Sequence, residues 1–473
     1  MEETGSLTRE EKQYIRMTET PTMKLVCALG TPTVISMLVT SVYNLADTFF
    51  VSQLGTCASG AVSIVFSLQS LIQAIGFGFG MGAGSLAAMR LGQKRDRDAA
   101  VYASSAFAAA LLAGALLGGL CLSLLAPVMT LFGANGEILP YACTYSRYIL
   151  YGAPLMCATF VLNLVLRTSG KPNLSMIGIM SGAVLNIILD PIFIMDFGLG
   201  MGIAGAALAT LIGQLVSFLI LLSFYLRKVC LVPIQMKYVS LRFSTYRDIV
   251  LTGLPTVCRQ GVASLATMLL NNRARLYGSA AIAAMGIANR IYLLIRSVIV
   301  GVGQGFQPVA GYNFGAGKYA RVREAFRDAA FLGSLFATAA AVLMAVFAPN
   351  IISLFLSDDP EVVLIGTRAL RFLCCSLPGL AYSTHVNQLL QCLSRVKSAT
   401  FLALCRNGIF YVPLILALPH FFGLTGIELT QPLADVMTFL VSIPFQVVFF
   451  TELKTYEKTN QWKLVHTRKR GNE

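Results

Sequence analysis

The stretch GTPTVISMLVTSVYNLADTFFVSQLG, residues 30–55, decides the fold. It is an apolar run long enough to span a membrane, and it holds a single carboxylate, Asp47. It returns as GLPTVCRQGVASLATMLLNNRARLYG, residues 253–278, at an offset of 223 and without a gap. Gly30, Pro32, Thr33, Val34, Val39, Ser41 and Gly55 recur as Gly253, Pro255, Thr256, Val257, Val262, Ser264 and Gly278. The match runs on through Gly78, Gly80, Gly82 and Gly92, which recur as Gly301, Gly303, Gly305 and Gly315. A match of this length marks two copies of one unit. Asp47 does not recur, because its counterpart is Leu270. The copies share a scaffold, and the first carries a charge that the second lacks.

The composition sets the class. Apolar residues make up 56% of the chain and charged residues 12%, against roughly 45–50% and 25% in soluble domains. This is the composition of a polytopic membrane protein. The net charge of +14 falls in short loops between apolar runs, where headgroups and topology account for it better than nucleic acid does. The eleven cysteines are scattered through apolar runs with no CxxC pair. They read as small buried hydrophobes, with no disulfide framework or metal site. Residues 1–22 are polar, and the first apolar run reads as an insertion signal that stays in the protein.

A spanning helix needs about 20 apolar residues. Twelve runs qualify, near 24–46, 58–88, 99–126, 138–165, 173–195, 202–226, 247–273, 280–310, 324–349, 361–391, 397–419 and 427–451. Turn chemistry at 133–136, 169–172, 198–200 and 357–360 separates several of them. Alternate connections are basic: Arg90, Lys94, Arg95 and Arg97; Arg167 and Lys171; Arg227, Lys228 and Lys237; Lys318, Arg321 and Arg323; Arg395 and Lys397. The positive-inside rule places these, and both termini, in the cytoplasm. The expected divisions are a cytoplasmic segment 1–23, a first lobe 24–226, an inter-lobe loop 227–246, a second lobe 247–451 and a basic tail 452–473. Six spans per copy is an even number, so the copies enter from the same side as parallel repeats. Two such bundles enclose a cleft, and a cleft that opens to alternate sides is a transporter.

An ionisable side chain at membrane depth costs at least about 2.5–3.5 kcal/mol, which makes it a functional candidate. Asp47 lies roughly 34 Å along its helix and Asp190 roughly 26 Å along its own, both in the outer half of the membrane. Asn186 precedes Asp190 by one turn and shares its face. Thr210 lies about 12 Å into the returning span. Two carboxylates, an amide and a hydroxyl therefore converge in depth. An oxygen-only set suits a proton or a hard cation such as Na⁺.

The second copy carries Arg259, Gln260, Asn271, Arg290, Arg296, His385 and Asp435. An ion pair between Arg259 and Asp435 is expected from their depth. Tyr43, Gln69, Gln73, Arg259, Gln260, Asn271, His385 and Asp435 are candidates for the substrate cleft, although His385 on its own reads better as a packing residue. The glycines Gly76 to Gly84 are not a phosphate loop, since no Lys-Ser/Thr follows; they serve close helix packing. No HExxH, GxSxG or Walker sequence is present, so neither an enzyme nor a nucleotide-driven pump is expected.

The segments Leu45-Ala-Asp47-Thr-Phe-Phe-Val and Leu185-Asn186-Ile-Ile-Leu-Asp190-Pro carry a family likeness. So do Gly253-Leu-Pro255, Tyr277-Gly278 and Gly303-Gln-Gly-Phe-Gln-Pro308 running into Gly311-Tyr-Asn-Phe-Gly315-Ala. Together they resemble the bacterial multidrug and toxic compound extrusion (MATE) family, nearest its MepA-like branch. The resemblance covers residues 24–451. It implies an all-α membrane fold of twelve helices in two six-helix lobes forming a V. It also implies cation-coupled antiport of small amphipathic drugs, often cations, across the bacterial inner membrane. Asp47, Asn186 and Asp190, with Thr210, match the family's first-lobe site for H⁺ or Na⁺. Some branches bind sodium at second-lobe carboxylates; here the seventh span offers Arg259 and the tenth Arg368, Arg371 and His385, against such a site. The expected partners are drug molecules and lipid, with no cofactor, nucleotide or nucleic acid, and the expected state is a monomer. The competing reading is a flippase or exporter of lipid-linked or saccharide precursors, for which a strongly basic cleft would be required.

Overall fold

The computed structural model describes residues 8–195, 198–355 and 360–459. Among them all regular structure is helical. The helices are α1 (Arg9–Glu19), α2 (Thr22–Ser52), α3 (Thr56–Gly92), α4 (Asp96–Ser123), α5 (Leu125–Leu131), α6 (Ile138–Thr168), α7 (Pro172–Ile194) and α8 (Ile203–Leu226). They continue with α9 (Phe243–Ala274), α10 (Ser279–Gly315), α11 (Tyr319–Val346), α12 (Ala348–Phe355), α13 (Pro360–Cys392), α14 (Val396–Leu404), α15 (Tyr411–Phe422) and α16 (Leu424–Thr459). A π-helical turn, Cys405–Ile409, joins α14 to α15. Among the described residues, twelve spans are long and apolar enough to cross a membrane, and each overlaps one of the twelve runs read from the sequence. Of the turn expected at 357–360, residues 357–359 lie outside the described residues, as does the tail beyond 459.

Two spans end sooner than their apolar runs. The third run, expected to reach 126, stops at Ser123 and restarts as α5. The ninth, expected to reach 349, stops at Val346 and restarts as α12. Pro127 and Pro349 sit in the first turns of the new helices, where a missing N–H costs nothing and a continuous helix is barred. The segment before the first span also holds a helix that hydrophobicity did not reveal. Thr8 and Glu11 close a reciprocal capping box at the start of α1.

The chain forms two compact units, described separately. The first-repeat unit comprises Pro32–Ala87 and Asp96–Gly261. Its glycines let helices touch along their backbones. A methyl at Gly114 or Gly118 of α4 would meet the Ala153 or Leu150 carbonyl of α6, and one at Gly80 of α3 would meet Leu164 and the Phe160 carbonyl. At Gly82 it would run into the Ile249 carbonyl of α9, and at Gly253 into that of Gly78. Phe77 and Phe160 pack with ring centroids 4.2 Å apart.

The second-repeat unit comprises Met1–Thr31, Ala88–Arg95 and Val262–Glu473. Its apolar core runs through Ile291, Ile295, Leu370, Leu373, Leu377 and Ile415. Here the repeated glycines cross reciprocally. A methyl at Gly92 would collide with the Tyr312 carbonyl, and one at Gly315 with the Met89 carbonyl; these are the same two positions exchanged by the offset of 223. Gly305 likewise abuts Gly30. Helix α1 is strapped to this unit. Asn313 donates to the Met17 carbonyl at 3.0 Å, Lys318 to that of Thr18 at 3.2 Å, and Arg321 to that of Thr20. The cations thereby satisfy the carbonyls that the end of α1 leaves open. Gly55 and its counterpart Gly278 have φ of 104° and 96°. That left-handed turn after the first helix of each copy explains why glycine recurs there.

Candidate functional site

The first-repeat unit builds its site from five helices. Pro172 opens α7 in its favoured position at the first helical residue. Beyond α7 the chain reverses tightly, with Leu199 donating to the Ile192 carbonyl at 2.8 Å and Met201 to that of Phe193 at 2.9 Å. Helix α8 then returns against α7 through Gly182 and Gly213. A methyl on Gly213 would lie 2.8 Å from the Gly182 carbonyl and 3.2 Å from the Asn186 Cβ. That close crossing sets Thr210 opposite Asn186.

In the orientation that satisfies both ends of its amide, Asn186 donates to Asp190 Oδ2 at 3.2 Å and accepts from the Thr210 N–H at 3.0 Å. Asn186 and Asp190 are buried and one turn apart on α7. Helix α2 contributes Asp47 and, one turn earlier, Tyr43. The Tyr43 hydroxyl reaches Thr210 and Gln69, and both Asp47 and Asp190 act on it electrostatically. From α6, Tyr145 hydrogen-bonds Asp47 and also reaches Thr210. Asp47 and Asp190 are near enough to feel one another's charge. Asp47 is buried five residues before α2 ends, and Asp190 is fully buried four residues before α7 ends. Neither merely terminates a helix at the surface.

No ion pair among the described residues involves Asp47 or Asp190. Asp47 Oδ1 is buried with no hydrogen-bond partner among them. A buried carboxylate without a cation is costly. Two within reach of one another's charge, beside neutral oxygens from Asn186, Thr210, Tyr43 and Tyr145, make a place for a proton or a small hard cation.

The sequence-derived candidates therefore separate. Tyr43, Asp47, Gln69, Asn186, Asp190 and Thr210 come together. Gln73 is half-buried on α3, and Arg259 and Gln260 are half-buried in the part of α9 that belongs to the first-repeat unit. Asn271 is exposed. His385 is fully buried, with Nδ1 2.5 Å from the Ala381 carbonyl of its own helix and its ring against Gly333. It is a packing histidine. Sequence reasoning passed over Tyr145, whose hydroxyl within a long apolar run was the available signal.

Asp435 anchors a second polar network, within the second-repeat unit. The ion pair it makes is with Arg406, whose Nε lies 2.7 Å from Oδ1; the expected partner was Arg259. Gln431 donates to the same oxygen at 2.8 Å. Ser376 donates to Oδ2 at 3.3 Å, and the Tyr292 hydroxyl donates there as well. Arg406 also donates to the Tyr292 hydroxyl at 2.6 Å. Arg406 is a charge in mid-span and was legible by the depth rule that flagged Asp47.

The MatE family model matches this chain twice, over residues 32–192 and 255–416. The two matches begin 223 residues apart, the offset of the internal repeat. The chain belongs to the MatE family. It is a multi-pass bacterial membrane transporter, not an enzyme. Among MatE relatives, the multidrug export protein MepA of Staphylococcus saprophyticus is 26% identical over 444 residues, covering 92% of this chain and 95% of that protein. MepA of Staphylococcus haemolyticus is 27% identical over 430 residues, covering 90% and 94%. An outward-facing multidrug resistance MATE transporter of the MOP superfamily superposes with a TM-score of 0.89 at 26% identity, over 95% of this chain and all of that one. A MOP superfamily transporter from Pyrococcus furiosus, described as having a binding pocket of reversed polarity, superposes at 0.88 and 26% identity over 95% and 100%. Each MatE relative is matched over nearly its whole length, so the likeness includes both repeats.

Proposed function

We propose that this protein is a multidrug efflux antiporter. It exports small amphipathic compounds, cations among them, from the cytoplasm in exchange for H⁺ or Na⁺, with both termini cytoplasmic. The observation that carries this reading is the burial of Asp47 and Asp190 near enough to feel one another's charge, with no counter-cation among the described residues. Twelve apolar spans, the internal repeat and the MepA likeness supply the setting.

The mechanism follows from charge. With both carboxylates ionised and poorly solvated, their repulsion opposes close packing of the first-repeat unit. A proton on either carboxylate, or a sodium ion held by Asp47, Asn186, Asp190 and Thr210, relieves it. Two carboxylates this close titrate as a pair rather than as independent acids. Cation and drug then favour different packings of the unit, and each lowers the other's affinity by the same factor.

The test is ethidium uptake into everted membrane vesicles, with proton and sodium gradients imposed separately. Uptake driven by at least one gradient is expected. It is paired with equilibrium binding of ethidium to the purified protein at mildly acidic, neutral and mildly alkaline pH, with and without sodium. Affinity should fall with acid or with sodium. Affinity indifferent to both ions would overturn the coupling scheme, and uptake indifferent to both gradients would overturn antiport.

A further inference from the structure

The internal repeat also equates the first-repeat site with a cavity in the second-repeat unit. At the offset of 223, Tyr43, Asp47, Gln69 and Gln73 correspond to Ala266, Leu270, Tyr292 and Arg296. All four counterparts line one cavity of about 120 Å³. In the second copy this place is hollow and its polarity is opposite to the first: leucine stands where the first copy has an acid, and arginine where it has an amide.

The remaining lining continues the reversal. Arg406 faces the same cavity, as do Asn289, Asn407, Glu428 and Gln431. The Glu428 carboxylate is neutralised by both nitrogens that Arg368 presents, at 2.6 and 2.8 Å. Arg406 gives Nε to Asp435 and one terminal amino group to Tyr292; the other makes no hydrogen bond among the described residues. Arg296 stands one turn from Tyr292, close enough for its charge to act on that phenol. The cavity wall therefore presents two guanidiniums, Arg296 and Arg406, while Glu428 and Asp435 are each already held by an arginine. Asn407 is buried, and its Oδ1 has no partner among the described residues. Arg406 and Asn407 both sit in the π-helical turn Cys405–Ile409. Such single turns within α-helices are frequent at functional sites, and this one brings a cation and an unsatisfied acceptor to the same wall.

We propose that this cavity is an acid-binding subsite, in which Arg296 and Arg406 hold the carboxylate of a transported amphipath and Asn407 accepts a hydrogen bond from a neighbouring N–H. Its volume admits a head group, well below the roughly 300–1,000 Å³ of pockets that enclose a whole drug. Guanidinium presents the fork of donors that a carboxylate matches, and Ala266, Leu270, Leu293 and Leu373 line the cavity for the apolar part. The inference rests on the export reading. It adds a place for the carboxylate of an acidic or zwitterionic substrate, with the coupling-ion and acid-binding functions divided between the two copies.

The experiment uses the purified full-length protein and two fluorescent probes, dansylglycine and its methyl ester, which differ by the carboxylate. The acid should bind about tenfold or more tightly than the ester, as charged hydrogen bonds of this kind imply. Arg296→Gln should reduce that preference to less than about threefold, the loss of one such bond. The paired variant Arg406→Gln with Asp435→Asn removes both charges together and strands neither; it should reduce the preference likewise. Equal binding of acid and ester to the unmodified protein, or a preference that survives both variants, overturns the subsite. Competition with benzoate and with laurate separates a water-borne acid from a bilayer fatty acid, and displacement by either one supports a carboxylate site. Ethidium uptake measured on the same preparations keeps the two readings apart. Uptake without acid preference sinks the subsite alone; acid preference without uptake sinks the export reading alone.

Discussion

The Asn186 amide stands between Asp190 and Thr210, donating to the carboxylate at 3.2 Å and accepting from the Thr210 N–H at 3.0 Å. One side chain thus joins α7 to α8 and orients an acid that has no cationic partner among the described residues. Whatever changes the charge on Asp190 is felt at the contact between two spanning helices.

Asp47→Asn should abolish gradient-driven ethidium uptake while leaving expression near normal, because it removes charge and almost no volume. Asp190→Asn should do the same and should flatten the dependence of ethidium affinity on pH and sodium. Full uptake by a well-expressed Asp47→Asn protein would refute the site.

Gly213→Ala should disturb this site from behind. The new methyl must displace the Gly182 carbonyl or the Asn186 side chain, and overpacking of this kind costs about 1–3 kcal/mol. A lower Tm and weaker sodium or pH dependence of ethidium binding are expected. Gly119→Ala on α4 meets nothing within 4 Å and should leave both unchanged or raise Tm slightly. If the two variants behave alike, the crossing at Gly213 does not position Asn186.

The Arg406–Asp435 pair should show strong coupling. Removing one partner of a buried ion pair costs about 3–5 kcal/mol, because the other charge is stranded. Arg406→Gln and Asp435→Asn should each lower Tm sharply, and the double variant should lose much less than the two losses combined. Additive losses would mean that the pair contributes nothing as a pair.

Orientation is open to direct labelling. In a background freed of the native thiols, a cysteine at Lys94 or Lys237 should react only with reagent that has crossed the membrane, and one at Asn135 with reagent outside. All three positions are exposed in the structure. The opposite pattern would reverse the topology inferred from loop charge.

Much of this was legible before any coordinates. Span length exposed the twelve helices, and the offset of 223 exposed the repeat. The rule against charge at membrane depth pointed to Asp47 and Asp190, and helical spacing tied Asn186 to the latter. What stayed hidden depends on neighbours that spacing does not reveal. Tyr145 matters because α6 delivers its hydroxyl to Asp47, and phenols in apolar runs commonly do nothing of the sort. Depth led to Arg259 as the partner for Asp435 and passed over Arg406, since depth alone does not choose between helices. The π-helical turn has no sequence signature that propensity could detect. The helix α1 was legible in its capping box, but a reading led by hydrophobicity passes over a polar segment.

The reciprocal crossing of Gly92 and Gly315 has a consequence for how such a chain can change over generations. Each glycine lies against a carbonyl from the other copy, three residues before that copy's own glycine. A duplicated gene is ordinarily free to let its halves drift apart, and here they have drifted at Asp47 and Leu270. Where the halves meet face to face, a bulkier side chain in either one is refused by the other. The likeness is therefore held in place at this crossing, while at Asp47 and Leu270 nothing of the kind kept the two copies from taking up different work.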